Sequence, residues 1–393
     1  MSDTIEKAET FSEMVIDAFK RGSTKGIMAS NLFDQFGFSS NPFDNNILIG
    51  NPDLITDRVK SIINKLAERI GACYQSQKSL LLVSPEGAGR TSILKLLNAT
   101  LNRGFDNNFC SYVHAPSRWS GFSFSDAEDE DSNGDNRIDN FQKWMRETDF
   151  SKTKIVLIDD ADAFIANASQ YVSAVKFEHL QTPTMVFCIS PITQARITKT
   201  ELFNEIFGDS FWIMPLEKND IKEILLKSIE AVKTNNSSPF EDSAIDKIAD
   251  YSLGLPGEAS ILAFLCLKNA YQIGISKITA KFVEGIALNE GFDVAQKLLR
   301  KEIKLDGTKY KVALEILTQF FIQGQNVERR FIISHFSEMA SSTLSYHLKD
   351  LINDGIIKQE RIGFKVYYFI PKILRSALQL LILFPLKVGD NNN

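Results

Sequence analysis

The chain has 393 residues, of which 44% are hydrophobic and 24% charged, with a formal net charge of −5. That balance predicts two or three domains with sizeable cores and excludes wholesale disorder. It also excludes a protein coated in basic charge, so any nucleic-acid contact has to come from a local basic surface on an acidic body.

The first 45 residues carry one amphipathic pattern, Thr10 to Lys20, and a polar connector through Phe43. They begin with acids and no apolar run, so no secretory signal is read there. Leu54, Ile55, Val59, Ile62, Ile63 and Leu66 then recur at helical spacing. Ser79 to Val83 is a short apolar run closed by Pro85, Gly87 and Gly89, and the helical period resumes at Ile93, Leu94, Leu97 and Leu101. This is strand, glycine loop, helix. Lys154 to Ile158 and Met185 to Ile189 are two further buried-strand candidates. Strands separated by helical stretches predict an α/β fold whose parallel sheet is covered on both faces. Residues 126–140 read as a solvated acidic insertion. The part over 131–142 approaches a calcium-loop spacing, but Asn136 stands where the turn glycine belongs and Gln142 where the bidentate glutamate belongs. Residues 216–290 show only helical periodicity, and after Asp306-Gly307 come three short helices and a pair of strands. Boundaries near 46, 215 and 300 give an extension over 1–45, a core over 46–215, a helical unit over 216–300 and a last unit over 301–393.

Cys73, Cys110, Cys188 and Cys266 form no CxxC and read as reduced core thiols, and four scattered histidines supply no zinc site. Ser376 to Val388 is shorter than the roughly 20 residues a membrane span needs and is interrupted by Pro385. It reads as a packed terminal helix. The expected localisation is cytoplasmic, nucleoid-associated in a prokaryote, with no membrane partner.

The loop Ser84-Pro85-Glu86-Gly87-Ala88-Gly89-Arg90-Thr91 follows the phosphate-loop pattern G-x-x-x-x-G-K-[ST] with two departures. Glycines let backbone N–H groups wrap a phosphate over a helix N-terminus, a cation reaches the outer phosphates, and a hydroxyl serves magnesium. Gly87, Ala88, Gly89, Arg90, Thr91 and Ser92 occupy those places. Ser84 replaces the first glycine, and Arg90 replaces the lysine, whose compact ammonium an arginine fork does not reproduce. The alternative is a plain strand–turn–helix connection. The next strand ends in Asp159-Asp160, the form of a Walker B strand, in which the first acid meets magnesium and the second orients the attacking water. Thr91 and Asp159 are thus the metal candidates, and Asp160 the catalytic one. Ser190, at the tip of the following strand, either bonds that water or the γ-phosphate or closes a Ser-Pro turn without a role.

The order of these pieces resembles an AAA+ ATPase. The segment Pro215 to Asp220 with the helices over Asp242–Ala249, Gly254–Leu265 and Ile278–Ile286, and the lead-in Ile49-Gly50-Asn51-Pro52, resembles the origin-recognition initiators of archaea and eukaryotes. The resemblance covers roughly residues 45–380. It implies an AAA+ core with a helical lid, ATP or ADP with Mg2+ as cofactors, and self-association through the core. It also implies the lid arginine and the arginine finger of the family. Here the lid segment Gly254 to Ser260 has Glu258 and no arginine, and Glu201 to Pro215 has none either, with only Arg196 upstream. A finger is worth about three to five decades of rate in related enzymes, so the ATPase is expected to be slow or inactive.

Residues 309–372 read as a winged helix. Val312 to Phe320 and Phe331 to Phe336 are its first helices, with Ser341 and Ser342 as N-cap candidates for a third helix, Thr343 to Asn353, that Gly355 ends. The block Ser341 to Ile357 resembles the recognition helix of winged-helix regulators. Leu344, Leu348 and Leu351 face inward, which leaves Ser342, Thr343, Ser345, Tyr346 and Lys349 for base edges, with Arg361 and Lys365 on the wing for phosphates. Lys309 to Arg375 carries net charge +4 and the rest of the chain about −9, so double-stranded DNA is the expected partner. A protein-binding winged helix is the alternative. His335 and His347 read as ordinary surface or packing residues. Two functions follow: an origin-recognition-type DNA-binding protein with a nucleotide between core and lid, or a transcriptional or mobile-element regulator using the core as a scaffold. The first requires that the turn after Val83 stay open and that the third helix of the tail stay exposed.

Overall fold

A computed structural model describes residues 32–44, 55–115, 152–165, 183–197, 207–234, 238–305, 307–323 and 326–384. The helix expected at Thr10–Lys20, the lead-in Ile49–Pro52, the acidic insertion 126–140 with its calcium-like loop, and residues 201–206 lie outside these residues.

Helix α1 (Asp57–Ser76) is opened by Thr56, whose hydroxyl accepts from the Val59 N–H at 3.3 Å. It leads into β1 (Ser79–Val83), the glycine loop and α2 (Arg90–Gly104). Next come β2 (Cys110–His114), β3 (Ile155–Asp159), the short α3 (Asp162–Ile165), β4 (Thr184–Ile189), α4 (Pro191–Ile197) and β5 (Phe207–Trp212). The strands form one parallel sheet in the order β2-β3-β4-β1-β5. Alternate residues of β1 serve opposite faces: Leu80 and Leu82 pack with Leu66, Leu94 and Leu97, while Leu81 and Val83 pack with Ile158, Phe187 and Ile189. β3 and β4 are buried throughout, which is why their apolar runs were readable. β2 and β5 have mixed sequences, and only their pairing identifies them as strands.

The lid is α5 (Lys218–Val232), α6 (Asp242–Tyr251), α7 (Pro256–Gln272), α8 (Ala280–Glu290) and α9 (Phe292–Leu299). The C-terminal unit is α10 (Gly307–Gln323), β6 (Val327–Glu328), α11 (Arg329–His335), α12 (Ser341–Asn353), the hairpin β7 (Lys358–Ile362) and β8 (Lys365–Phe369), and α13 (Lys372–Leu383). Its first three helices and the hairpin have winged-helix topology. The parallel five-stranded sheet with its helices is the α/β fold that was expected. One detail differs: the N-cap of α12 is Ala340, not Ser341 or Ser342, which lie in its first turn. Gly355 ends α12 as expected, at φ +74°, with its own N–H and that of Ile356 bonded to the carbonyls of Ile352 and Leu351.

Lid and tail share one apolar core, running from Ile221 and Leu262 through Leu298 to Leu317, Leu351 and Leu378. The terminal helix packs along α9 and α4, so the tail is seated on the body. All four cysteines are free and buried. Among the described residues no helix is long and apolar enough to cross a membrane, and no cluster of His, Cys, Asp and Glu forms a metal site.

Candidate functional site

The glycine loop turns through two left-handed residues, Gly87 at φ +84° and Gly89 at φ +83°. Gly89 is the N-cap of α2, and no side chain caps that end. The first amide groups of α2 therefore present a partial positive charge to whatever lies before them. What lies before them is a cavity of about 300 Å3 lined by the loop from Glu86 to Ile93, by Asp160, and by the lid residues Pro256, Gly257 and Ser260. Phe43, Val59, Ile62, Leu216 and Ile224 add apolar side chains to the lining. A helix N-terminus together with apolar walls is the combination a nucleotide requires.

The Walker B acids stand at the tip of β3. Asp159 is fully buried and accepts from Thr91 Oγ1 at 2.6 Å, the Tyr112 hydroxyl at 3.0 Å and the Asp160 N–H at 3.0 Å. Burial and the adjacent Asp159 carboxylate raise the Tyr112 hydroxyl above its ordinary pKa, so it stays a donor. Asp160 sits in the left-handed region at φ +53°, and its carboxylate takes the Arg90 guanidinium and His114 Nε2. Arg90 lines the cavity but folds back onto these acids. Burial disfavours its charge, and Asp160, Asp162 and Asp159 outweigh that and hold it protonated. Its Nη1 is buried without a partner among the described residues. Thr91 and Asp159 offer a hydroxyl and a carboxylate oxygen side by side, a donor pair that fits magnesium.

Ser190 is placed differently from the expectation. It is fully buried and is not on the cavity wall. Its hydroxyl donates to Asp162 Oδ1 at 2.6 Å, which also accepts from Thr193 Oγ1 at 2.6 Å and the Ser190 N–H at 2.8 Å. Burial raises the Asp162 pKa, and these donors oppose the rise. Ser190 here ties β4 to α3 because a buried carboxylate needs every nearby donor.

Two elements press on the loop from outside. The Gly257 N–H donates to the Gly87 carbonyl at 2.7 Å, and a Cβ at Gly257 would meet Gly87 at 2.9 Å. Glu258, 1% exposed, lies against Gly87 and accepts from Ser376 Oγ at 2.8 Å. Burial raises its pKa. On α13, Gln379 accepts from the Glu86 N–H at 2.9 Å, and Arg375 grips the Glu86 carboxylate with two bonds of 2.8 Å. Lys372 lines the cavity itself. The turn is therefore open toward the cavity and sealed on its outer side. Sequence reasoning missed Lys372, Arg375, Ser376 and Gln379 as neighbours of the loop, because some 290 residues separate them from it and no motif links them.

On the tail, α12 turns Leu344, Leu348 and Leu351 inward, and Ser342, Thr343, Tyr346 and Lys349 are exposed. Ser345 is only half-exposed: its hydroxyl donates to the Ser341 carbonyl at 2.6 Å and accepts from Arg329 at 2.8 Å, so it is not free for a base edge. Arg361 and Lys365 are exposed on the wing, Lys365 at 3.5 Å from Glu328, and Phe364 at the hairpin tip is 99% exposed. Lys309 is committed to Asp350 and Asp354 at the end of α12. Lys349, Lys358 and Arg361 have no ion-pair partner among the described residues.

No family model matches the chain. An uncharacterized HTH-type transcriptional regulator of Methanocaldococcus jannaschii is 24% identical over 245 residues, a match spanning 58% of this chain and 55% of that relative. Among solved structures, the Aeropyrum pernix ORC1 protein in complex with DNA is 13% identical with a TM-score of 0.48, covering 85% of this chain and 96% of its own. Cdc6p of Pyrobaculum aerophilum is 16% identical with a TM-score of 0.42, covering 88% and 99%. The RuvB Holliday junction branch migration motor of Thermotoga maritima is 15% identical with a TM-score of 0.40, covering 80% and 92%.

Proposed function

We propose that this chain is a DNA-binding protein of the origin-recognition type that holds ATP or ADP between core and lid and hydrolyses it slowly or not at all. The observation that carries the reading is the cavity itself, lined both by the uncapped start of α2 and by apolar side chains. Thr91 and Asp159 would hold Mg2+, which would neutralise phosphate charge there. Arg90 has to leave Asp160 to meet a phosphate, and Asp160 is available to orient water only when it does. Slow turnover follows from that pairing, and from the absence of an arginine in the lid segment Gly254 to Ser260. Duplex DNA is held by the exposed side of α12 and by the wing. Equilibrium binding of labelled ATP with magnesium tests the nucleotide half: binding in the micromolar range is expected, and none at millimolar nucleotide removes it.

A second reading, a regulator whose core is a scaffold, is favoured by the relative named as an HTH-type transcriptional regulator and by the seal that α13 places on the loop. Genome-wide mapping of bound DNA separates the two: one or a few sites fit an initiator, and many promoter sites fit a regulator.

A further inference from the structure

Charge around the cavity is unbalanced. Asp160 and Asp44 line it, Asp159 stands behind Thr91, and the third lining acid, Glu86, is paired with Arg375. A nucleotide would bring three or four more negative charges. Of the residues lining the cavity, two are cationic, Arg90 and Lys372. Arg90 is committed to Asp160 and Asp159. Lys372 is exposed, and its ammonium has no hydrogen-bond or ion-pair partner among the described residues.

Lys372 comes from neither core nor lid. It is the first residue of α13, at the end of the face that continues through Arg375, Ser376 and Gln379 at helical spacing. Those three are the residues that grip Glu86 and Glu258. The grip fixes α13 in rotation and height against the loop, and so places Lys372 at the cavity wall. We propose that Lys372 is the cation that meets the nucleotide's polyphosphate, in place of the arginine the lid lacks, so that an occupied cavity fastens the winged-helix unit to the core. This rests on the nucleotide reading of the cavity.

The test uses the full-length chain with ATP, ADP and adenosine as probes, each with magnesium, in competition with a fluorescent ADP analogue. Lys372→Ala should weaken ATP and ADP about tenfold, the worth of one charge-assisted phosphate contact. Adenosine, which has no phosphate, should bind the variant as it binds the wild type. Lys372→Arg should restore most of the loss. Unchanged ATP and ADP affinity in Lys372→Ala, or an equal loss for adenosine, overturns the assignment while leaving the cavity a nucleotide site. Failure of the wild type to bind any nucleotide overturns both. Hydrogen exchange over residues 372–383 should slow on adding ADP to the wild type and not to Lys372→Ala; no slowing in the wild type overturns the fastening.

Discussion

Arg90 shows how one substitution alters a site without destroying its shape. A lysine at that place is a point charge on a flexible stem, whereas the guanidinium fork reaches Asp160 and Asp159 together and is held there. Arg90→Lys should therefore bind ATP more tightly than the wild type, as measured by equilibrium binding; equal or weaker affinity would show that the pairing is not what limits the site. Glu258 is the second telling residue. Its buried carboxyl has a raised pKa, so its protonated form favours the native state. The sign follows: its contribution is complete below the ordinary value of 4.5 and is lost as pH rises through the raised one. Glu258→Gln keeps an acceptor for Ser376 and removes the charge. Its stability relative to wild type should increase from about pH 4 to about pH 7, read from urea midpoints at the two values; a flat difference would mean the carboxyl is not desolvated as described. The glycine and Asp159-Asp160 motifs are short and local, so their presence could be read directly. The commitment of Ser190 to Asp162 could not, because neither residue's burial is written in its neighbours.

Among the elements, α13 carries the least expected role. Its apolar sequence predicts a packed helix, and Leu374, Leu378 and Leu381 are indeed buried. Its polar residues face the glycine loop, a target no periodicity reveals. Arg375 is gripped by Glu86, bonds the Ile370 carbonyl at 3.0 Å and lies 4.2 Å over the Phe320 ring. Arg375→Ala leaves Glu86 unpaired in a mostly covered place and should cost about 2–3 kcal/mol, below the range for wholly buried pairs. Arg375→Lys should recover little of it, since an ammonium cannot make the two-bond fork. Urea unfolding measures both, and a wild-type midpoint in Arg375→Ala would dismiss the grip as incidental. Helix α12 was legible to within two residues because its leucines recur every three or four positions and Gly355 supplies the left-handed stop. Its cap was misread because both serines prefer such places, while the chain enters the helix one residue earlier.

At the scale of the whole molecule, an acidic body carries a tail of net charge +4, and part of that charge is spent internally by Lys309 and Arg375. Lys349 on α12 and Lys358, Arg361 and Lys365 on the wing remain outward, as do Lys311, Arg330 and Lys372 on the other helices. Arg361→Glu with Lys365→Glu should abolish duplex binding at moderate salt, and each lost phosphate contact should reduce the salt slope by about 0.9. Binding that survives the pair of changes would move the DNA surface elsewhere. The amino-acid sequence by itself determined the strands β1, β3 and β4, the parallel α/β core, the helical lid and the positions of both acid and glycine motifs, because these follow from periodicity and from residues adjacent along the chain. Only the tertiary structure decided what each charge does: that Arg90 turns to Asp160, that Glu258 is buried at Gly87, and that a helix some 290 residues away closes over the loop. Coulombic and hydrogen-bonding partners depend on distance in space and on exclusion of water, and neither is encoded in spacing along the backbone.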